Sequence, residues 1–337
     1  MSQSVLRIFR DPEGALPNSL IIVWTMIIWL LSFTMMVADS LLLNIAAVFL
    51  CVHAMVLAAY LVHEAAHYTL FRNPAHNRWV GELMSFIAGA CYASFERIRH
   101  LHIRHHRDRA DVTCFDFKGL MNRQAWLKKL LQVMEWAYLP ATEALMHLQV
   151  IWRPFFVQSQ RRYLPRSLAV LVIRLVLLIL LAACSMKALV SYAISYLIFL
   201  HVLNFFDAFH HTFEQFFVGE NDPVPMEGRD RQYEQANTFS NVVSIRFPVL
   251  NLLTLNFGYH NAHHDRASVP WYGLPKLHHE LYGARSRSVM PFSQLLKTWH
   301  KNRVRRVISE DYGAPDTGTG RADGFVGAHG VSFLTVI

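Results

Sequence analysis

Cysteine is scarce in this chain, and the usual cofactor motifs are missing. The four cysteines are Cys51, Cys91, Cys114 and Cys184, and no two share the C-x-x-C spacing. That excludes a disulfide framework and a thiolate metal site, and leaves four reduced structural residues. There is no iron–sulfur ligand set and no G-x-G-x-x-G turn. The basic charge comes with no nucleic-acid-binding motif, so a nucleic-acid partner is not expected. No internal repeat of fixed period occurs.

Charge and proline are also absent from the middle of four long apolar stretches, with one exception, Arg174. The chain has 337 residues, 53% of them hydrophobic. The stretches cover about 20–37, 41–62, 168–184 and 188–206. Each approaches the roughly 20 residues needed to cross a hydrocarbon core of about 30 Å. A helix satisfies its own backbone hydrogen bonds in lipid, so all four are expected to be transmembrane helices. Core helices of a soluble protein are the alternative, and the arrangement in two tight pairs argues against them. The first run follows a mostly polar segment with Arg7, Asp11 and Glu13, and no small-residue cleavage site follows it. It therefore reads as a retained span and not as a secretory signal.

Lysine and arginine are missing from the tip of the first pair near Asp39, and only Lys187 marks the second. Between the pairs lie Arg97, Arg99, Arg104, Arg107, Arg109, Lys128, Lys129, Arg161 and Arg162. The positive-inside rule puts both termini and the intervening segments on the cytoplasmic side, the inner membrane in a bacterium. The formal charge of +8 fits this topology and contact with anionic headgroups. It also suits docking of an acidic partner or an acyl thioester. Arg174 inside the third span either snorkels or serves an internal role. A shorter apolar run at 80–95, containing Glu82, suits a re-entrant or interfacial helix. An amphipathic surface helix is expected over 125–156, broken by Pro140 and Pro154. Residues 1–312 read as one domain, and the Gly-rich segment 313–337 as a mobile tail.

Against this background stand three histidine clusters: His63-Glu-Ala-Ala-His67, His102-Ile-Arg-His105-His106 and His260-Asn-Ala-His263-His264. Spacings of three and four bring side chains to one helix face. Each cluster can present its nitrogens to one locus, and imidazole suits Zn, Cu, Fe or Ni. Asp207 and His211, also four apart, end the fourth span as a further site candidate. His201 reads as a structural hydrogen-bonder. The first cluster also fits H-E-x-x-H, the zinc-protease pattern, with Glu64 as general base. A single zinc needs about three protein ligands, which would leave the other histidines unexplained.

The three clusters resemble the boxes HxxxH, HxxHH and HxxHH of the membrane fatty acid desaturase superfamily, the histidine-box di-iron enzymes. Asp111 and Asp116 after the second box, His211-Thr-Phe-Glu214, and residues 268–278 after the third box resemble family segments as well. The resemblance runs over about 41–282. It implies an all-α integral membrane fold, with four transmembrane helices in two hairpins and a cytoplasmic helical cap holding a His-rich di-metal site. It implies two non-haem iron ions held by His63, His67, His102, His105, His106, His211, His260, His263 and His264. Asp207, Glu64 and His210 are expected to support these ligands from behind; His100 is expected at the surface or in the same supporting layer. The third box departs from the Val-Glu centre of many acyl-lipid desaturases. With no fused haem domain, electrons are expected from a separate ferredoxin- or cytochrome-type donor and its reductase.

Such a centre implies O₂-dependent oxidation of an unactivated C–H bond in a fatty acyl chain, with desaturation as the leading outcome. Decarboxylation to a terminal alkene and hydroxylation or ketolation are the alternatives. The cofactor supplies the oxidising chemistry while the protein positions the substrate and excludes water. Trp136, Tyr138, Trp271 and Tyr272 are expected to anchor at the membrane interface or to line a substrate entrance.

Overall fold

The computed structural model describes residues 7–283, 289–316 and 319–328. It divides into two units, one of 1–98 with 147–202 and the other of 99–146 with 203–337. Among the described residues, four helices are long and apolar enough to cross a membrane: Pro12–Val37, Leu41–Ala66, Gln158–Cys184 and Met186–Ala208. Three of them start at least two residues before the stretches read from the sequence, and all four include the expected apolar cores.

In the first unit, α1 (Ala15–Val37) and α2 (Leu41–Ala66) are joined by three residues and pack along each other. Asn44 fixes the turn: its amide donates to the carbonyls of Met35 (2.8 Å), Met36 (3.2 Å) and Ala38 (2.9 Å). Those are helix-end carbonyls with no intrahelical partner. The α1 surface exposes Leu20, Val23, Trp24, Ile27 and Leu30. In water such a stripe would be an aggregation surface; in hydrocarbon it is the solvated face. The third span goes further: over Leu164–Cys184 only Ser167 is buried.

The short helix α3 (Pro74–Ala88) begins before the 80–95 run and ends within it. Its stop is Gly89 at φ +87°, where a Cβ would strike the Tyr196 ring. A left-handed, sterically closed position admits glycine at least strain. Glu82 accepts from the Phe95 amide (3.1 Å) and pairs with Arg166, whose Nε donates to the Cys91 carbonyl (3.0 Å). Arg174 plays the internal role. It donates to the Tyr192 hydroxyl (3.2 Å) and the Phe86 carbonyl, with its guanidinium 4.4 Å from the Phe86 ring centroid.

Three helices cross the division between the units: α4 (Phe95–Asp108), α7 (Ala141–Phe156) and α9 (Met186–Ala208). The second unit also contains a small parallel sheet, so the chain is not purely helical. Strand β1 (Asp111–Thr113) pairs with β2 (Gln215–Phe217), Val112 opposite Phe216. The short helix α5 (Phe117–Arg123) follows, and Asp116 caps it by accepting from the Gly119 amide (2.7 Å).

The expected break at Pro140 occurs between α6 (Ala125–Trp136) and α7. Glu135 covers the new N-terminus by accepting from the amides of Ala141 (2.8 Å) and Thr142 (3.2 Å). The expected break at Pro154 does not occur. Pro154 sits in the last turn of α7, where the forfeited hydrogen bond lies at an end that frays anyway.

Helix α8 (Leu164–Cys184) belongs to the first unit, and α10 (Arg231–Ala236), α11 (His260–Asp265), α12 (Leu274–Tyr282) and α13 (Phe292–Arg306) to the second. Within the tail expected from Gly313, residues 319–328 are packed against the second unit. Phe325 is fully buried between the rings of Phe209 (5.2 Å) and Phe239 (5.3 Å). The Ala328 amide donates to the Ala208 carbonyl (2.8 Å), and Arg306 Nε donates to the Val326 carbonyl (2.9 Å). Gly313, at φ +66°, allows the return because a Cβ there would collide with the Gly324 carbonyl. The rest of the tail lies outside the described residues.

Candidate metal centre

Helix α4 carries the second histidine box. Its last turn ends where Arg109 takes a left-handed φ of +47°. Arg104, 2% exposed, locks the helix: its Nε bonds Asp108 (2.7 Å), and its guanidinium donates to the carbonyls of Gly219 (3.1 Å) and Glu220 (2.8 Å). His102 and His106 thus share one face, with Nε2 atoms 3.2 Å apart. His105 turns to the other side, its Nε2 3.2 Å from that of His211.

Helix α11 carries the third box, and its first five residues are all buried. His263 Nε2 lies 3.1 Å from His106 Nε2, and His260 Nε2 lies 2.8 Å from His211 Nε2. Among the described residues, three overlapping groups of potential ligands have members in this unit, one of them His106, Glu234 and His264. His102, His106 and His263 belong to a set of ligand atoms all within 4.8 Å of one another, and His105, His211 and His264 form another. Two imidazoles bound at about 2.0–2.1 Å and at right angles would have their nitrogens roughly 3 Å apart. The observed spacings match that figure.

The neighbours assign the protons. His105 Nδ1 lies 3.1 Å from the Ala110 carbonyl, which can only accept. The Thr238 hydroxyl donates its one proton to the Glu234 carbonyl (2.7 Å), so at 3.3 Å it accepts from His211 Nδ1. His264 Nδ1 faces the Glu234 carboxylate at 3.0 Å, and its buried Nε2 has no hydrogen-bond partner among the described residues. In all three rings the lone pair therefore sits on Nε2, the nitrogen directed at its neighbours. Facing lone pairs at 3.2 Å repel unless a cation lies between them, so the donor set fits a metal. Burial, then the charges of neighbouring histidines, holds His211, His260 and His264 well below the usual imidazole pKa. The neutral form is the ligating form.

His210 has the opposite polarity. Asn241 donates its amide to the Phe206 carbonyl (3.0 Å), so its oxygen accepts from His210 Nε2 at 2.7 Å. The His210 ring stacks on His260 at 3.9 Å, a support for a box histidine. Asp207 lies within electrostatic range of the buried Glu143. Asp111, 1% exposed, has an oxygen 3.2 Å from His105 Nδ1.

In the first unit, His63 closes helix α2 and His67 caps it, with ring centroids 4.7 Å apart. Glu64 is 3% exposed and accepts from the Thr69 hydroxyl (2.7 Å), with an oxygen 3.7 Å from His63 Nδ1. A carboxylate so enclosed is poorly placed as a protease base. His100 is exposed, 3.4 Å from the Glu220 carbonyl. His278 is a core residue between Tyr259 and Tyr282, with burial pushing its pKa down to about 4. Trp271 is buried, and its carbonyl accepts from Asn256 (3.1 Å). Trp136 and Tyr138 are exposed.

Reasoning from sequence missed Glu234, Thr238, Asn241 and the role of Asn261. Glu234 bridges His264 and the Arg109 guanidinium (2.9 Å). Asn261 ties the third box to its neighbouring segment by accepting from the Ser240 hydroxyl (3.0 Å) and donating to the Thr238 carbonyl. That gives a reason for asparagine inside the box.

Four membrane-length apolar helices fit a membrane protein, and the histidine cluster is able to bind a metal. The chain belongs to the fatty acid desaturase family, whose profile it matches over residues 39–295. It is 27% identical over 224 residues to a sphingolipid delta(4)-desaturase of Candida albicans, covering 64% of this chain and 56% of that protein. It is 29% identical over 234 residues to the human sphingolipid delta(4)-desaturase DES1, covering 66% and 60%. The chain thus spans under two thirds of the length of these relatives. No solved structure matches it.

Proposed function

We propose that the chain is an O₂-dependent lipid desaturase, with two iron ions held by His63, His67, His102, His105, His106, His211, His260, His263 and His264. The observation that carries this is the set of buried Nε2 atoms spaced 2.8–3.2 Å apart, with their lone pairs oriented by Ala110, Thr238 and Glu234. Family membership supports iron as the metal. Bound iron would supply reduction of O₂ and removal of two hydrogens from a saturated carbon pair, with electrons from a separate donor protein.

The chain's own residues do the rest. Glu234, Thr238 and the Ala110 carbonyl hold three rings in the ligating tautomer, and loss of such a partner commonly costs 10–100-fold in metal affinity or activity. His210 and Asn261 fix the ring of His260 and the backbone of α11. Burial of these rings keeps water from the oxidised carbon. The distribution of Lys and Arg supports cytoplasmic termini and a cytoplasmic site, with the four spans in two hairpins and a cytoplasmic helical cap holding the histidine-rich site. The names of the relatives support a sphingolipid-like substrate with a long saturated chain.

Incubation of the purified protein with labelled lipid, O₂ and a reductant, read by mass spectrometry, tests this. An alkene of unchanged carbon count is expected. Loss of one carbon or gain of one oxygen would replace desaturation by decarboxylation or hydroxylation, and peptide cleavage by a zinc-loaded protein would replace it altogether.

A further inference from the structure

In the second unit, residues 244–256 are folded inside out. Ile245, Phe247, Val249, Leu250, Leu252 and Leu253 are all exposed. The polar residues Asn251, Thr254 and Asn256 of the same stretch are buried. Between Glu234 and Asp265, Arg246 is the only Asp, Glu, Lys or Arg. Water favours the reverse arrangement, and an exposed apolar patch of this kind marks a surface that something covers.

The backbone is arranged for a medium without water. Pro248–Thr254 form a 3-10 helix, and Pro248 brings no amide to satisfy. Asn251 closes the loop: its side-chain oxygen accepts from the Ser244 amide (3.1 Å) and its nitrogen donates to the Ser244 carbonyl (2.8 Å). The Ser244 hydroxyl accepts from the Phe247 amide (3.0 Å), and the Phe247 carbonyl accepts from the Leu250 amide (3.0 Å). The Asn251 carbonyl accepts from the Asn256 amide (2.8 Å). Backbone groups that face hydrocarbon must be satisfied within the chain, a demand that a loop in water does not face. Asn251 also donates to the Tyr259 hydroxyl (3.1 Å), and Tyr259 directly precedes His260.

Composition identifies the covering material. Protein interfaces are enriched in aromatic residues, Met and Arg. Here the exposed apolar set is aliphatic apart from Phe247, like the outward face of α8 with Val172, Ile173, Leu175 and Val176. Arg246, Pro248 and Asn251 interrupt the stretch too early for a crossing, and apolar runs of about 10–14 residues suit interfacial segments. Arg246 is exposed beside Phe247. Its long stem lets the charge stay with lipid phosphates while its neighbours sink below.

We propose that residues 245–253 are an interfacial anchor of the second unit, seated about 5–10 Å into the boundary between headgroups and acyl chains of the bilayer. Through Asn251 and Tyr259 the third histidine box is tied to this membrane-seated element. The seat depends on neither the metal nor the reaction.

The test uses the full-length protein in nanodiscs of phosphatidylcholine and phosphatidylglycerol, with Cys184→Ser removing the exposed thiol. An environment-sensitive fluorophore is attached at Val249→Cys and, in a second variant, at Leu252→Cys. Lys276→Cys, at an exposed position of α12, is the water-facing control. Metal content equal to the parent's verifies the fold of each variant. Both loop labels are expected to emit to the blue of the control and to resist quenching by aqueous iodide. They are expected to lose emission when the lipid carries a nitroxide on the upper acyl chain, and to lose less when the nitroxide sits at the chain end. Iodide quenching as strong as at the control would overturn the anchor. Protection from iodide without quenching by either nitroxide lipid would assign the patch to a protein contact and overturn it as well. Stronger quenching from the chain end would make the segment deeply inserted and contradict the interfacial seat.

Discussion

Helices α8 and α11 invert each other. Helix α8 is apolar almost throughout, yet only Ser167 is buried in it. Helix α11 reads His-Asn-Ala-His-His-Asp, and its first five residues are all buried. The ordinary burial ranking fails in both, for different reasons. Around α8 the solvent is hydrocarbon, so leucine and valine face outward at no cost. Around α11, Glu234, Ser240 and Thr238 bond to His264 and Asn261, and in the proposed function a metal takes the Nε2 lone pairs.

The widest separation of the two regions is expected from His105→Ala. It should abolish turnover and lower bound metal, while membrane insertion, read by protease protection, stays as in the parent. Retained activity would remove the second box from the site. The converse substitution, Ile179→Lys on the exposed face of α8, should cost roughly 2.5–3.5 kcal/mol of insertion free energy if it sits near the helix centre. In the inserted fraction it should leave metal content alone.

Phe325→Ala is expected to destabilise the second unit by roughly 3–5 kcal/mol, since its ring fills the space between Phe209 and Phe239. Thermal unfolding in detergent measures this, and an unchanged midpoint would contradict the packed tail. Glu234→Gln should cost metal affinity about 10–100-fold while the fold persists, because His264 loses its carboxylate.

The smallest effect concerns pH. Burial, then the carboxylates of Asp207 and Glu135, pushes Glu143 up to about 8. Between an ordinary carboxyl pKa and that value, the folded chain keeps a proton that the unfolded chain has lost. Stability from this group is therefore fully present at acid pH and falls as pH rises through about 8. Glu143→Gln should flatten that slope in unfolding midpoints taken from pH 5 upward, and an unaltered slope would assign it elsewhere.

These contrasts also mark what could be read from the sequence. Composition over 20 residues specifies a membrane span, so all four were legible, and spacing of three and four made the box histidines legible. Glu234 was not, because a lone carboxylate far from the boxes in sequence reaches His264 only through the tertiary fold. The same holds for Thr238 and Asn241. The packed residues 319–328 escaped notice because glycine-rich composition signals freedom, whereas here glycine permits close return of the backbone. Pro154 misled because its effect depends on its distance from the helix end.

The central claim is that distant histidines converge on iron. X-ray absorption at the iron edge of the purified protein tests it most directly. The account predicts a first shell dominated by imidazole nitrogen, with nitrogen scattering and iron content both reduced in His264→Ala. A shell of sulfur or of oxygen alone, or a protein that takes up zinc and no iron, would contradict it.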